Sequence, residues 1–279
     1  MSLNAIKREP ANKRLICLIA IIIVLSFGVA TFKRNSIWLL DMTLWYHVAM
    51  GSPAKARGHN NAGLALHGVG FYELAIEEFS KAIAIKSDDA KFHSNRAISY
   101  VSTEELDEAI EGFEEALRLD PEDPRFYNNL GGLYVLEGRL YEAILRFNEA
   151  LLLAPGYSEA HYNLAKALDA YGDMDGAIEH LETAVVLEAH NLKSYNYLGI
   201  LYRKQGRTDE AVGIYRRALE LNGDFMAVRY NLVRIYMDGG LWEEAIVEFE
   251  EILKRDPNDK VAKAELERAV RARAGARGD

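Results

Sequence analysis

The side chains that recur most regularly in this sequence and could do chemistry are asparagines. They are spaced by 34 residues, with one interruption where Tyr197 takes the place: Asn61, Asn95, Asn129, Asn163 and Asn231. An asparagine amide has two donor hydrogens and an acceptor oxygen, which suits bidentate hydrogen bonding to an extended peptide backbone. Asparagine is a mediocre helix former, so helix propensity does not explain the column. The spacing predicts a peptide-binding surface, and the alternative is that duplication simply copied the residue.

Histidines and paired carboxylates are the remaining candidates for chemistry. His59, His93 and His161 share one place in the 34-residue frame, where we expect packing between neighbouring helices about 10 Å apart, too far for one metal ion. The carboxylate pairs are predicted to lie on a solvated helix face, with a basic partner as a minor alternative: Glu77 and Glu78, Glu114 and Glu115, Glu243 and Glu244. No Ser/His/Asp set and no glycine-rich phosphate loop is present. The sequence therefore predicts no catalytic residue, no metal site and no cofactor, and a protein that is not an enzyme.

The composition excludes two further classes of protein. Of 279 residues, 49% are hydrophobic and 27% charged, which is a globular balance. A single cysteine, Cys17, allows no intramolecular disulfide and no thiolate zinc site. Residues 1–55 hold seven Lys/Arg and two Asp/Glu, so the remainder holds 26 against 40, a net charge of about -14. A body this acidic would repel a phosphate backbone, which argues against nucleic-acid binding.

The N-terminal region contains an apolar run long enough to cross a membrane. Residues 15–32 are 18 residues without a charge, and at 1.5 Å per residue they cover roughly 27 Å of a hydrocarbon core about 30 Å thick. Lys7, Arg8, Lys13 and Arg14 precede the run, which favours a basic cytoplasmic tail at 1–14 and an extracytoplasmic body. We therefore expect a single-pass protein of a bacterial inner membrane with a periplasmic body. The alternative is a cleaved signal peptide ending near Ala30.

From residue 56 onward the sequence repeats itself with a period of 34. One column is alanine throughout: Ala75, Ala109, Ala143, Ala177, Ala211 and Ala245. A large apolar residue follows each alanine by four positions, a small residue precedes it by twelve, and glycines at 70, 138, 172, 206 and 240 stand midway. This spacing predicts helical hairpins in which small residues allow two helices to approach and each hairpin packs on the next.

These columns resemble the tetratricopeptide repeat. The resemblance covers six units, at 56–89, 90–123, 124–157, 158–191, 192–225 and 226–259, followed by a capping helix and basic tail at 260–279. It implies an all-α protein, a right-handed α-solenoid on one N-terminal transmembrane helix. The asparagine column is similar to the asparagine ladder of O-linked N-acetylglucosamine transferases.

The junction at 33–55 carries a second resemblance. Extending the 34-residue frame backward aligns Trp45 with Phe147 and Pro53 with the third unit's proline, so the segment is predicted to be the second helix of a degenerate half-repeat. Residues 34–63 also resemble the junction between membrane helices and repeats in tetratricopeptide-repeat membrane O-mannosyltransferases and their bacterial relatives. Those enzymes carry catalytic loops between many membrane spans, which this chain lacks, so transferase activity is not carried over.

Together these features predict a membrane-anchored scaffold that binds a protein or peptide partner along the asparagine column. One alternative is an accessory arm of an envelope glycosylation or polysaccharide-assembly transferase, within a complex with that enzyme. A glycosyltransferase-related enzyme is the third and least favoured reading.

Overall fold

The structure is a computed structural model that describes residue 51 and residues 54–277 of the chain. The predicted tail at 1–14, the anchor at 15–32 and all of the junction except residues 51, 54 and 55 lie outside the described residues. Within the part that is described, no helix is both long enough and apolar enough to span a bilayer.

The described residues are all-α, with thirteen helices and no strand. In chain order they are α1 Ala56–Gly68, α2 Tyr72–Ile85, α3 Ala90–Ser102, α4 Leu106–Leu119, α5 Pro124–Leu136, α6 Leu140–Leu153, α7 Ser158–Tyr171, α8 Met174–Leu187, α9 Leu192–Lys204, α10 Thr208–Leu221, α11 Met226–Asp238, α12 Trp242–Arg255 and α13 Lys260–Arg277. The odd-numbered helices α1 to α11 are the first helices of the hairpins and the even-numbered ones are the second helices. The predicted helical hairpins are confirmed.

The helices belong to two compact units. The first unit ends at Pro121 and contains the hairpins α1/α2 and α3/α4. The second begins at Glu122 and contains the hairpins α5/α6, α7/α8, α9/α10 and α11/α12, followed by α13, which packs on α12. Within each unit, the second helix of one hairpin packs against the first helix of the next.

The alanine column lies at the centre of the hairpins. All six of its members are 0% exposed, and so are the small residues seven positions later, from Ala82 to Ala218. The large side chains between them are buried as well: Phe79, Phe113, Phe147, Leu181, Tyr215 and Phe249. Burying one such side chain contributes roughly 1.5–3 kcal/mol, so each hairpin carries its own small core.

In the first, third and fifth hairpins, a glycine on the first helix lies against the aromatic ring of the second helix. A Cβ built on Gly131 would lie 2.7 Å from Cε1 of Phe147, and the same holds for Gly63 and Phe79. In the second hairpin the first helix has Ala97 at this place and the glycine is Gly112 on the other helix, where a Cβ would lie 2.9 Å from that of Ala97.

The turns between the helices of each hairpin use a left-handed residue. Gly70, Gly138, Gly172, Gly206 and Gly240 all have positive φ, between 69° and 103°. In the second hairpin the same place is held by Glu104, with φ of 63°. A side chain with a Cβ is strained there, so the sequence departs from the glycine pattern at a cost in stability.

Candidate binding surface

The asparagine column lies on the first helices of the hairpins, and its side chains are half-buried. Asn61 and Asn95 belong to α1 and α3 in the first unit, whereas Asn129, Asn163 and Asn231 belong to α5, α7 and α11 in the second. We call the surfaces that these side chains form, one on each unit, the asparagine faces. The sequence treats the column as freely exposed, and the structure corrects this to partial exposure.

Three members of the column donate a hydrogen bond to an asparagine of the preceding hairpin. Asn95 Nδ2 donates to Asn60 Oδ1 at 2.9 Å, Asn163 Nδ2 to Asn128 Oδ1 at 3.0 Å, and Asn231 Nδ2 to Asn196 Oδ1 at 2.9 Å. Each bond joins the first helix of one hairpin to the first helix of the hairpin before it. These amides therefore hold neighbouring helices in register in addition to facing the surface.

The bonds occur at every second hairpin, which gives them a period of 68 residues. Asn60, Asn128 and Asn196 are the acceptors, and sequence reasoning missed them. Their signal in the sequence is the 68-residue spacing, twice the period used to align the repeats. Each donor keeps one amide hydrogen and its oxygen for a ligand. Asn129 is half-buried and makes no hydrogen bond through its side chain among the described residues, so both its amide hydrogens and its oxygen are available to a ligand.

The interruption of the column at Tyr197 is also bonded. The Tyr197 hydroxyl donates to Asp169 Oδ2 at 2.7 Å, and Lys204 Nζ lies 2.9 Å from the same oxygen. Burial raises the Asp169 pKa, but these two hydrogen bonds outweigh it and hold the pKa below its usual value. The Tyr162 ring meets the Tyr197 ring edge to face, with centroids 6.2 Å apart. This part of the second unit's asparagine face is a fixed polar and aromatic cluster.

The first predicted structural histidine is hydrogen bonded to a buried carboxylate. His59 Nδ1 lies 2.7 Å from Glu78 Oε2, and Lys81 Nζ donates to Glu78 Oε1 at 2.6 Å. Desolvation raises the Glu78 pKa, while the bonds from Lys81 and His59 lower it to below the usual value. Glu78 is only 5% exposed, so the prediction that Glu77 and Glu78 both lie on a solvated face is wrong for Glu78. Arg229 and Glu248 repeat this arrangement, with Nη1 and Oε2 2.5 Å apart.

The other two histidines each bond to the loop that precedes their own helix. His93 Nε2 donates to the carbonyl of Ser87 at 2.9 Å. His161 Nε2 donates to the carbonyl of Pro155 at 3.0 Å, and its Nδ1 lies 2.9 Å from His180 Nδ1. Since Nε2 carries the proton in neutral His161, Nδ1 must accept from His180. Among the described residues, no three His, Cys, Asp or Glu side chains converge as a metal-binding group would require.

Hairpins of constant length that stack through small residues define an α-helical repeat protein. The sequence profile of the tetratricopeptide repeat matches residues 134–195 and 202–269, and a second profile described as a TPR repeat matches 99–136. The chain is therefore a tetratricopeptide-repeat protein, as its columns predict.

Several known proteins are similar to parts of the chain. The protein ycf37 of Cyanophora paradoxa, described as uncharacterized, is 36% identical over 87 residues, 29% of this chain and 51% of that protein. The peroxisomal targeting signal receptor of Saccharomyces cerevisiae is 34% identical over 73 residues, 26% of this chain and 12% of the receptor. The matched parts thus span about half of the first relative and a small fraction of the second.

A solved structure of pilF from Pseudomonas aeruginosa is similar in fold. It superposes with a TM-score of 0.64 at 22% sequence identity, over 78% of this chain and 98% of that one. The likeness extends the fold assignment over most of the described residues.

Proposed function

We propose that this protein is a scaffold that binds an extended segment of a partner polypeptide on its asparagine faces. The observation that carries the proposal is the half-buried amide of Asn129, which makes no hydrogen bond among the described residues. Asn163 and Asn231 each retain an amide oxygen and one hydrogen beside it in the same unit. Such amides bind a backbone N–H and C=O regardless of the partner's side chains, so affinity is spread along the segment.

The relatives support a binding role. The peroxisomal targeting signal receptor is by its name a protein that recognises a targeting signal, and residues of this chain are similar to part of it. We extend to this chain only the use of such repeats to bind a polypeptide.

The experiment compares capture of short random-sequence peptides by the wild-type chain and by Asn129→Ala. Loss of one amide that binds the peptide backbone is expected to cost about 1 kcal/mol, roughly a fivefold rise in Kd. Tyr127→Phe, a change on the same helix that keeps the ring, is the control. Methylating the backbone nitrogens of a captured peptide is expected to abolish binding. Capture that survives both changes would remove the backbone-binding role.

We also propose that the repeats are anchored to a membrane. The uncharged run at 15–32 supports anchoring, and the cations before it support an extracytoplasmic body. A reporter that is active only outside the cytoplasm, fused after Asp279, is expected to be active. An expressed but inactive fusion would reverse this orientation.

A second form of the proposal makes the protein an acceptor-recruiting arm of an envelope glycosylation or polysaccharide-assembly transferase. Residues 34–63 support it, because they resemble the junction found in membrane O-mannosyltransferases. Cross-linking in intact membranes, followed by purification, is expected to recover a multi-spanning transferase if this form is correct. Recovery of other envelope proteins in its place would argue for a general scaffold.

A further inference from the structure

The second unit contains a pocket at the C-terminal end of its asparagine face. It lies among α11, α12 and α13 and has a volume of about 420 Å³. Asn231, the last member of the asparagine column, is one of its lining residues. Ligand sites in proteins measure about 300–1,000 Å³, so the pocket has room for a large side chain and its neighbours. We call it the anchor pocket.

The inner part of the anchor pocket is apolar. Val233 and Phe249 line it and are almost fully buried, while Met237 and Trp242 are half-buried beside them. Val261, on α13, forms an exposed side of the pocket. Removing apolar surface from water stabilises a complex by about 25 cal/mol per Å². This lining therefore selects an aliphatic or aromatic side chain.

The polar groups of the anchor pocket lie along one face of α11. Asn231 Nδ2 is bonded to Asn196, which leaves Asn231 Oδ1 as an acceptor for a backbone N–H. Arg234 lies three residues further on, on the same helix face, and is exposed with no ion pair or hydrogen bond among the described residues. A guanidinium in this state is suited to bind a carboxylate through two parallel bonds.

Among the described residues, neither acidic residue of the pocket forms an ion pair with Arg234. Glu265 is already paired with Arg268 across 3.3 Å. Asp238 follows Arg234 by one helical turn on α11, and no ion pair joins the two among the described residues. Arg234 is therefore the cation of the pocket that has no ion pair within the described part of the chain, and a carboxylate next to the anchored side chain is the complementary group.

We propose that the anchor pocket binds an apolar side chain that is adjacent to an acidic residue in the bound polypeptide. Asn231 Oδ1 accepts the backbone N–H at the anchor, Arg234 binds the neighbouring carboxylate, and the Val233 and Trp242 side of the pocket holds the apolar group. The inference rests on the proposed function, because it specifies which segment the second unit's asparagine face selects.

The test uses the full chain and three labelled peptides that differ only at a central pair of residues, which is Glu-Phe, Lys-Phe or Glu-Ser. Fluorescence anisotropy gives each Kd. Loss of a charge-assisted bidentate contact or of a buried side chain is worth about tenfold in affinity, so Glu-Phe is expected to bind about tenfold tighter than either other peptide. Equal affinities for the three peptides would overturn the proposal.

Matched variants assign the preference to the pocket. Arg234→Glu is expected to reverse the order of Glu-Phe and Lys-Phe, whereas Arg217→Glu, an exposed arginine on α10, is expected to leave it unchanged. Val261→Glu is expected to weaken Glu-Phe binding, while Val247→Glu is not. Val261 is 64% exposed and Val247 is 56% exposed, so the two changes should affect folding to a similar extent. Equal effects within either pair would also overturn the proposal.

Asn129→Ala separates this inference from the proposed function. Binding that depends on Asn129 but shows no Glu-Phe preference would remove only the anchor pocket. A Glu-Phe preference with affinities that Asn129→Ala leaves unchanged would keep the pocket and remove the role of Asn129. Absence of binding by all three peptides would overturn both.

Discussion

The side chain of Asn163 donates a hydrogen bond across 3.0 Å to the side-chain oxygen of Asn128, on the preceding first helix. Asn129, the residue next to Asn128, is half-buried and makes no such bond among the described residues. Asn128 and Asn129 thus differ in role. Asn128 holds helix α5 against α7, whereas Asn129 is available to a ligand. This division separates stability from binding in a way that substitutions can test.

Asn128→Ala is expected to lower the free energy of unfolding by about 1 kcal/mol, because it removes the acceptor of a part-buried bond and leaves the Asn163 amide without its partner. Asn129→Ala is expected to change it by less than about 0.5 kcal/mol, as is usual for surface positions. Urea unfolding measures the free energy of unfolding of both variants, provided that their m-values are equal. Equal losses for the two variants would contradict the assignment of roles.

Gly131→Ala is expected to destabilise the protein by about 1–3 kcal/mol, because the added Cβ would meet the Phe147 ring at 2.7 Å. Gly132→Ala is the matched control, since nothing lies within 4 Å of a Cβ there. It should stabilise the helix by about 0.5–1 kcal/mol.

Combining Gly131→Ala with Phe147→Leu should recover part of the stability lost in the single variant. The fourth hairpin already has this pair, as Ala165 and Leu181, and buries both residues completely. Thermal unfolding of the single and double variants compares their melting temperatures, and that of the double variant should be higher. A double variant no more stable than Gly131→Ala would show that the ring is not the source of the clash.

Glu104→Gly is expected to raise the free energy of unfolding by about 1 kcal/mol, since Glu104 is the non-glycine residue with positive φ among the described residues. Glu105→Gly is the control. Glu105 has φ of -86°, so glycine there brings no relief and removes the carboxylate to which Thr103 donates at 2.7 Å. Thermal unfolding should move the two melting temperatures in opposite directions.

The His161–His180 pair predicts that stability falls as the pH decreases below about 6.5. Burial lowers the pKa of His180, and the nearby His161 lowers it further, while Glu179 and Asp173 act weakly in the opposite direction. Because the unfolded chain then binds a proton that the folded chain does not, stability is fully present above pH 6.5 and is lost toward the folded pKa.

His180→Glu is expected to remove the contribution of the buried His180 imidazole to this loss, because the side chain whose pKa burial lowers is no longer present. Urea unfolding at about pH 7.5 and about pH 5.5 measures the slope of the free energy of unfolding against pH. His190→Glu, which adds the same charge at an exposed loop position, should leave the slope unchanged. An unchanged slope in His180→Glu would show that the histidine pair does not control it.

Much of the fold could be predicted from the sequence, because the signals are local and repeated. The alanines from Ala75 to Ala245 mark where two helices of one hairpin touch, and the glycines at the turns mark where the backbone takes a left-handed conformation. Both constraints act within one 34-residue unit. The membrane anchor and the half-repeat around Trp45 remain predictions, since they lie outside the described residues.

The candidate site could be predicted only in part. Its column of asparagines is visible in the sequence, but the partner of each one is not. Asn60, Asn128 and Asn196 stand beside members of the column, or beside Tyr197, in the chain, and their acceptor role depends on how one hairpin rotates against the next. The burial of Glu78 has a similar cause, because His59 reaches it from the facing helix of the same hairpin.

By itself, the sequence determined the helical hairpins, their repetition and the residues available for binding, because periodicity and side-chain size decide which faces two adjacent helices bury. Only the tertiary structure decided which asparagines are free. It also brought Arg234, Asn231 and Trp242 together with residues of α13 around one pocket. Both outcomes depend on the register and angle between packed helices, which are set by many weak side-chain contacts at once and have no local signature in the chain.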